Sequence, residues 1–146
     1  MSATNAFETA LLTLYFNNTD HANVGDAAGI QNSATAGSFY VSLHTADPGE
    51  TGTQTTSEAT YTSYARVAVA RSGAGWTVSG ANASNAAIVS FPACTGGTNT
   101  ITHFGIGSDS SGTGNLFFKG ALSASLAVST GITPSFAIGA LDVDCD

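Results

Sequence analysis

Positive charge is nearly missing from this chain. Of its 146 residues only Arg66, Arg71 and Lys119 are basic, against ten Asp and Glu, for a formal net charge of −7. So few cations form no basic patch, which excludes binding that works by neutralising phosphates and disfavours docking on an anionic membrane. Charge of either sign is scarce, at 9% of residues, where globular domains average about 25%. The surface is therefore expected to be Ser, Thr, Asn, Gly and Ala, suited to flat polar faces that pack on neighbours. Cysteine is scarce too. Cys94 and Cys145 are the only two, and in a chain assembled in the cytosol they are expected as free thiols. No apolar run approaches the roughly 18 residues of a membrane-crossing helix. Met1 to Phe16 has no positive segment and carries Glu8, so it does not read as a signal peptide. No repeat of fixed period and no heptad pattern is present.

What is present reads as a small, mainly β protein. A chain of this length buries roughly 70% of the surface its unfolded form exposes, so it needs neither metal nor disulfide to fold. Asn5 to Phe16 is the one helical pattern. Asn5 stands at the capping position with Glu8 three residues on, and Phe7, Leu11, Leu14 and Tyr15 share a face. Two readings follow for that helix: it packs on the sheet of its own domain, or it is an arm that docks on a neighbouring subunit. His21 to Gly37 reads as a loop. Phe39, Val41 and Leu43 then alternate with Tyr40, Ser42 and His44, the period of a half-buried strand. Asp47-Pro48-Gly49 stops it. Glu50 to Ser63 is a polar segment longer than an ordinary hairpin loop, expected to be functional or an excursion of the chain.

Further strands are predicted at Ala65 to Ala70, up to Val78, at Ala86 to Phe91, Thr100 to Gly107, Asn115 to Leu122, Leu126 to Val128 and Thr133 to Val143. Ser79 to Asn82 reads as a turn, and Trp76 as a core anchor. Strands at this spacing, divided by Gly/Ser/Asn/Thr turns, predict an antiparallel β-sandwich or Greek-key barrel with one N-terminal α-helix. The expected division is an N-terminal helix and loop over 1–36 and a single β domain over 37–146.

No catalytic motif emerges. His21, His44 and His103 are the residues to inspect first for acid/base work, but there is no nucleophile elbow and no His-Glu-x-x-His. Histidines bonded to backbone at strand ends are the expectation. Asp47 and Glu50 flank a tight turn with no aromatic sugar platform beside them. Gly105-Ile106-Gly107 is not followed by a helix, so it is no dinucleotide fingerprint. Asp142, Asp144 and Asp146 share one face of a strand and are a candidate hard-cation site, although the loop lacks the glycine and distal Glu of an EF-hand. No catalytic residue, cofactor or enzyme activity is expected.

Five strings carry a resemblance: LHTADPGETG (43–52), YARVAV (64–69), GWTVSG (75–80), SNAAIVSFP (84–92) and THFGIG (102–107). They resemble a family of small virion proteins of tailed bacteriophages, often labelled tail fibre proteins, some of which look like capsid decoration proteins. The likeness runs from Ser38 to Leu141. It implies a structural role, with a capsid decoration (cement) protein on the outside of the major capsid protein shell as the first reading. A small tail or tail-fibre component for host attachment is the alternative. The implied partners are the major capsid protein and copies of the chain itself, as a homotrimer, with no nucleic acid and no membrane. The implied location is the virion, assembled in the bacterial cytoplasm. Phe7, Leu11, Leu14 and Tyr15 of the helix, with Pro48, Glu50, Thr53 and Tyr61 of the long loop region, are the candidate partner-binding residues.

Overall fold

The computed structural model describes residues 3–22, 24 and 29–145. In chain order the elements are α1 (Asn5–Asn17), β1 (Ser38–His44), β2 (Val67–Ala70), β3 (Trp76–Ser79), β4 (Asn82–Asn85), β5 (Val89–Ser90), β6 (Asn99–Gly107), β7 (Leu116–Val128), β8 (Ser135–Phe136) and β9 (Asp142–Asp144). The strands form antiparallel sheets in the orders β2-β1-β6-β7 and β3-β4-β9, with β5 paired to β8. Among the described residues the protein is mainly β, with one helix near its start and no closed barrel. The chain forms two compact units, each discontinuous in sequence.

The first unit takes the described residues of 1–38, 70–88 and 136–146. Thr4, in extended backbone, caps α1, its side chain accepting from the Phe7 N–H at 3.5 Å. The cap thus falls one residue before the Asn5 that sequence spacing suggests. At the other end Asn18 takes the left-handed conformation (φ 52°), and its side chain binds the Ser33 backbone and hydroxyl. The last turn of α1 holds no basic residue. Arg71 supplies the cation from elsewhere, donating to the carbonyls of Leu14 (2.9 Å), Tyr15 (2.6 Å) and Ala36 (3.1 Å). A guanidinium there satisfies carbonyls that a helix end leaves without partners and complements the negative end of its dipole.

The buried face of α1 is Glu8, Leu12 and Phe16. It packs toward β3 and β4, with the Phe16 ring edge-on to Trp76 at 4.7 Å. Trp76 is fully buried, as an anchor of a small core should be. β4 has the composition of a turn, Asn-Ala-Ser-Asn, and sequence pattern alone passes over it. It is nevertheless the central strand, pairing Trp76 through Ser79 on one side and Asp142 through Asp144 on the other. The two-residue turn at Gly80 (φ 61°) makes the hairpin with β3 possible.

The second unit holds residues 39–69 and 89–135. β6 lies between β1 and β7, in register from Tyr40 opposite Gly107 to His44 opposite His103. On its other side the ladder runs Ile101–Leu126, then His103–Ala121. Thr102 therefore faces a bulge of Leu122 through Ser125, the point where the sequence pattern breaks between two strand-like segments. Gly105 is required by packing: a Cβ there would lie 2.7 Å from His44 Nε2 and 2.8 Å from Ser42 Oγ.

The helix face assignment is open to measurement. Phe16→Ala is expected to cost about 3–5 kcal/mol in urea unfolding, as a buried ring does, whereas Phe7→Ala on the outer face costs under about 1 kcal/mol. The reverse order would mean that α1 is turned the other way.

Candidate interaction surface

The long segment between β1 and β2 is ordered by a buried polar network. Arg66 grips Glu58 with two bonds, Nε to Oε1 at 2.6 Å and Nη2 to Oε2 at 2.8 Å. The same guanidinium donates to the carbonyls of Asp109 (2.9 Å) and Gly112 (2.7 Å) in the turn between β6 and β7. Tyr64 donates its hydroxyl to Glu58 (2.9 Å) and accepts the Leu43 N–H (3.0 Å). The Arg66 and Glu58 side chains are only 2% and 15% exposed. In such a setting a two-pronged, fully bonded pair ties the long segment to the turn between β6 and β7. Its hydrogen bonds to Glu58 raise the Arg66 pKa, while burial above all raises that of Tyr64.

Neutral amides extend the network. Gln54, fully buried, exchanges bonds with the Asp109 backbone (2.9 and 3.3 Å). Asn99 Oδ1 accepts the N–H groups of Thr60 and Tyr61, both at 2.8 Å.

His44 sits inside this frame. Nδ1 lies 2.8 Å from the Thr56 carbonyl and Nε2 lies 2.8 Å from Ser42 Oγ. A carbonyl only accepts, so Nδ1 carries the proton and Nε2 accepts from the serine. The pairing resembles a nucleophile with its base, but both residues are 0% exposed and Gly105 fills the space above them. No substrate carbonyl reaches that serine, so the pair serves the fold. Burial holds the His44 pKa below its ordinary 6.5, against the Thr56 carbonyl and Glu58, which favour the charged form; Arg66 and His103 push the same way as burial. His103 Nδ1 pairs with Thr102 Oγ1 at 2.9 Å. His21 exchanges backbone bonds with Ile30 and sets its ring 5.5 Å from Phe7.

The eight candidate contact residues divide. Tyr61 is 3% exposed and donates its hydroxyl to the Pro92 carbonyl at 3.0 Å, and Pro48 is buried as well. Both face the interior of the second unit and leave the list of surface groups, because the loop folds back on its own sheet. Thr53 is half-buried, its hydroxyl facing those of Thr55 and Thr56. Glu50 is exposed and, with Asp47, meets Lys119 at 3.1 Å. On α1, Phe7 and Tyr15 are exposed and Leu11 and Leu14 half-buried. The apolar stripe seen in the sequence is thus the outer one. Sequence reasoning passed over Ile88 and Ile138, the two most exposed large apolar side chains described, at 65% and 66%. Each sits in a strand-like run that signals burial.

Asp142 and Asp144 do share an exposed face, and the amide of Asn82 donates to both. Asp146 lies outside the described residues, as do residues 1, 2, 23 and 25–28 of the expected arm and loop. Among the described residues no three His, Cys, Asp or Glu are grouped to hold a metal. Cys94 and Cys145 are free thiols. Among the described residues no helix is long and apolar enough to cross a membrane.

A family model described as "Podophage GP4 fiber I protein gp80" matches residues 2–144. No curated protein matches the sequence.

Two measurements check the network. Arg66→Met strands the Glu58 charge and is expected to cost about 3–5 kcal/mol in urea unfolding, with Glu58→Gln added on top recovering part of the loss. A double variant no more stable than the single one would remove the pair as the tie. The second concerns pH. The unfolded imidazole takes a proton near 6.5 and native His44 only at lower pH, so stability falls as pH drops below 6.5 toward the folded value. His44→Gln should flatten that slope between pH 7 and 5, whatever it does to stability at pH 7.

Proposed function

We propose, for a chain that belongs to the podophage GP4 fiber I protein gp80 family, a role as a small component of the phage tail-fibre apparatus that acts by docking alone. The chain is a structural protein of a phage virion. The observation that carries the finer reading is the family match over residues 2–144, whose description names a fiber protein. The chemistry of the molecule agrees with it. The Ser42–His44 pair is sealed off. Each cation is held internally: Arg66 by Glu58, Lys119 by Asp47 and Glu50, Arg71 by helix carbonyls. What remains for a partner is polar and apolar surface carrying exposed carboxylates such as Asp20, Asp142 and Asp144, a surface that binds by shape and burial.

One observation favours a second reading, capsid decoration of the major capsid protein shell, with the chain as a homotrimer. No described element resembles a shaft: the single helix has 13 residues, and the sequence has no repeat. A small docking protein suits a lattice, where repetition adds avidity.

Copy number in purified particles tests both. The fibre reading expects a handful of copies per particle and antibody labelling at the tail. A count on the scale of the shell subunits, with labelling of the head, overturns it in favour of decoration.

A further inference from the structure

We propose that the turn at residues 55–57 is an acid-released latch over His44, lifting from the sheet when the imidazole takes a second ring proton and closing when it loses it. The inference is independent of the docking role and of tail or head. His44 is 0% exposed, and its ring is covered from two sides. On one side Ser42 Oγ lies 2.8 Å from Nε2, and a Cβ on Gly105 would lie 2.7 Å from the same nitrogen. These groups belong to the interior of the sheet. On the other side the Thr56 carbonyl lies 2.8 Å from Nδ1. Thr56 is half-buried, between the exposed Thr55 and Ser57. The turn is the thin side of the cover.

The turn runs between two fixed posts. Gln54 before it is buried and exchanges bonds with the Asp109 backbone. Glu58 after it is gripped by Arg66 and Tyr64. Between the posts the turn meets the sheet through two carbonyls. That of Thr56 takes the His44 N–H, and that of Ser57 accepts the Thr45 N–H at 2.8 Å and the Thr45 hydroxyl at 3.1 Å. Ser57 has φ 54°, a left-handed backbone that residues with a Cβ rarely adopt. Those few bonds therefore hold a strained conformation, and release relieves it.

The second proton goes to Nε2, which accepts from Ser42 in the neutral ring. Nε2 then donates to Ser42 Oγ, the serine hydroxyl loses its acceptor, and a full charge stands where water does not reach. Of the groups that face the ring, Glu58 favours the charge, but its oxygens are already bonded to Arg66 and Tyr64. Arg66 and His103, the latter opposite His44 in the ladder, oppose the charge. Lys119, opposite Gly105 on β7, is matched by Asp47 and Glu50. Water is the missing partner, and lifting the turn admits it. Thr53, a candidate contact residue, meets the hydroxyls of Thr55 and Thr56, so the surface it offers a partner changes with the latch.

The open ring titrates near the ordinary 6.5 and the closed ring lower, because burial disfavours its charge. Opening therefore gains as pH falls below 6.5 toward the closed value. The test is amide hydrogen exchange of the full chain by NMR between pH 7 and 5, corrected for the intrinsic rate, with and without dilute urea. The Thr45 amide, bonded to Ser57, is expected to lose up to about tenfold of its protection per pH unit below 6.5. Its exchange should not respond to dilute urea, as befits a small local opening. The Ala59 amide, bonded to the Leu43 carbonyl beyond the Glu58 post, should exchange more slowly and only by the route that urea promotes. His44→Gln, which can keep both ring bonds without titrating, should flatten the Thr45 response, and His103→Gln should leave it. Thr45 protection that stays flat with pH overturns the proposal, as does a response that survives His44→Gln. A Thr45 amide that exchanges at the Ala59 rate and quickens with urea also overturns it, because the opening then belongs to the whole unit. Should His44→Gln fail to fold, the wild-type ring decides: the latch requires it to titrate below 6.5, where the loss of protection levels off, and a midpoint at 6.5 or above overturns it.

Discussion

Three cations serve ten carboxylates in this chain, and where they are placed governs much of what the molecule can be. Arg66 closes the long segment between β1 and β2 by binding Glu58 and two carbonyls of a distant turn. Arg71 reaches from the end of β2 to the last turn of α1. Lys119 faces two carboxylates from β7. In each case the cation meets a carboxylate or a row of carbonyls that the local chain leaves without an equal partner. The Arg66–Glu58 pair, alone of the three in being buried, is costly to desolvate and still more costly to break, which makes it a device for fixing one arrangement.

With so few charges available, neutral amides take the remaining junctions. Asn18 ties the end of α1 to Ser33, Asn85 joins two segments under the isoleucines, Asn99 receives two N–H groups, and Gln54 pairs with the Asp109 backbone. An amide both donates and accepts, so one side chain can serve opposite backbone groups without a counter-ion. The consequence is a surface whose charges are mainly carboxylates, Asp20, Asp142 and Asp144 among them, set among neutral polar groups.

Sequence by itself settled the class and the excluded activities. Period-two alternation with Gly/Pro/Asn stops located β1, β2, β6 and both halves of β7, although Val41 to His44 of β1 and Phe104 to Gly107 of β6 are buried on both faces, so the half-buried strand expected at β1 is fully covered at that end. The shortage of cations and the missing motifs followed from counting and spacing. The specific strings carried the likeness to phage virion proteins, which the family match extends to residues 2–144.

Tertiary structure decided what depends on partners far along the chain. β4 is a strand only because β3 and β9 flank it, which turn-like Asn-Ala-Ser-Asn could not announce. The helix carries apolar groups on two faces, and the buried one was chosen by where Trp76 stands. Tyr61 turned inward because the Pro92 carbonyl and a folded-back loop awaited it, while Ile88 and Ile138 turned outward over Asn85. Hydrophobic pattern reports which residues gain by burial, but the available burial is limited and long-range contacts distribute it.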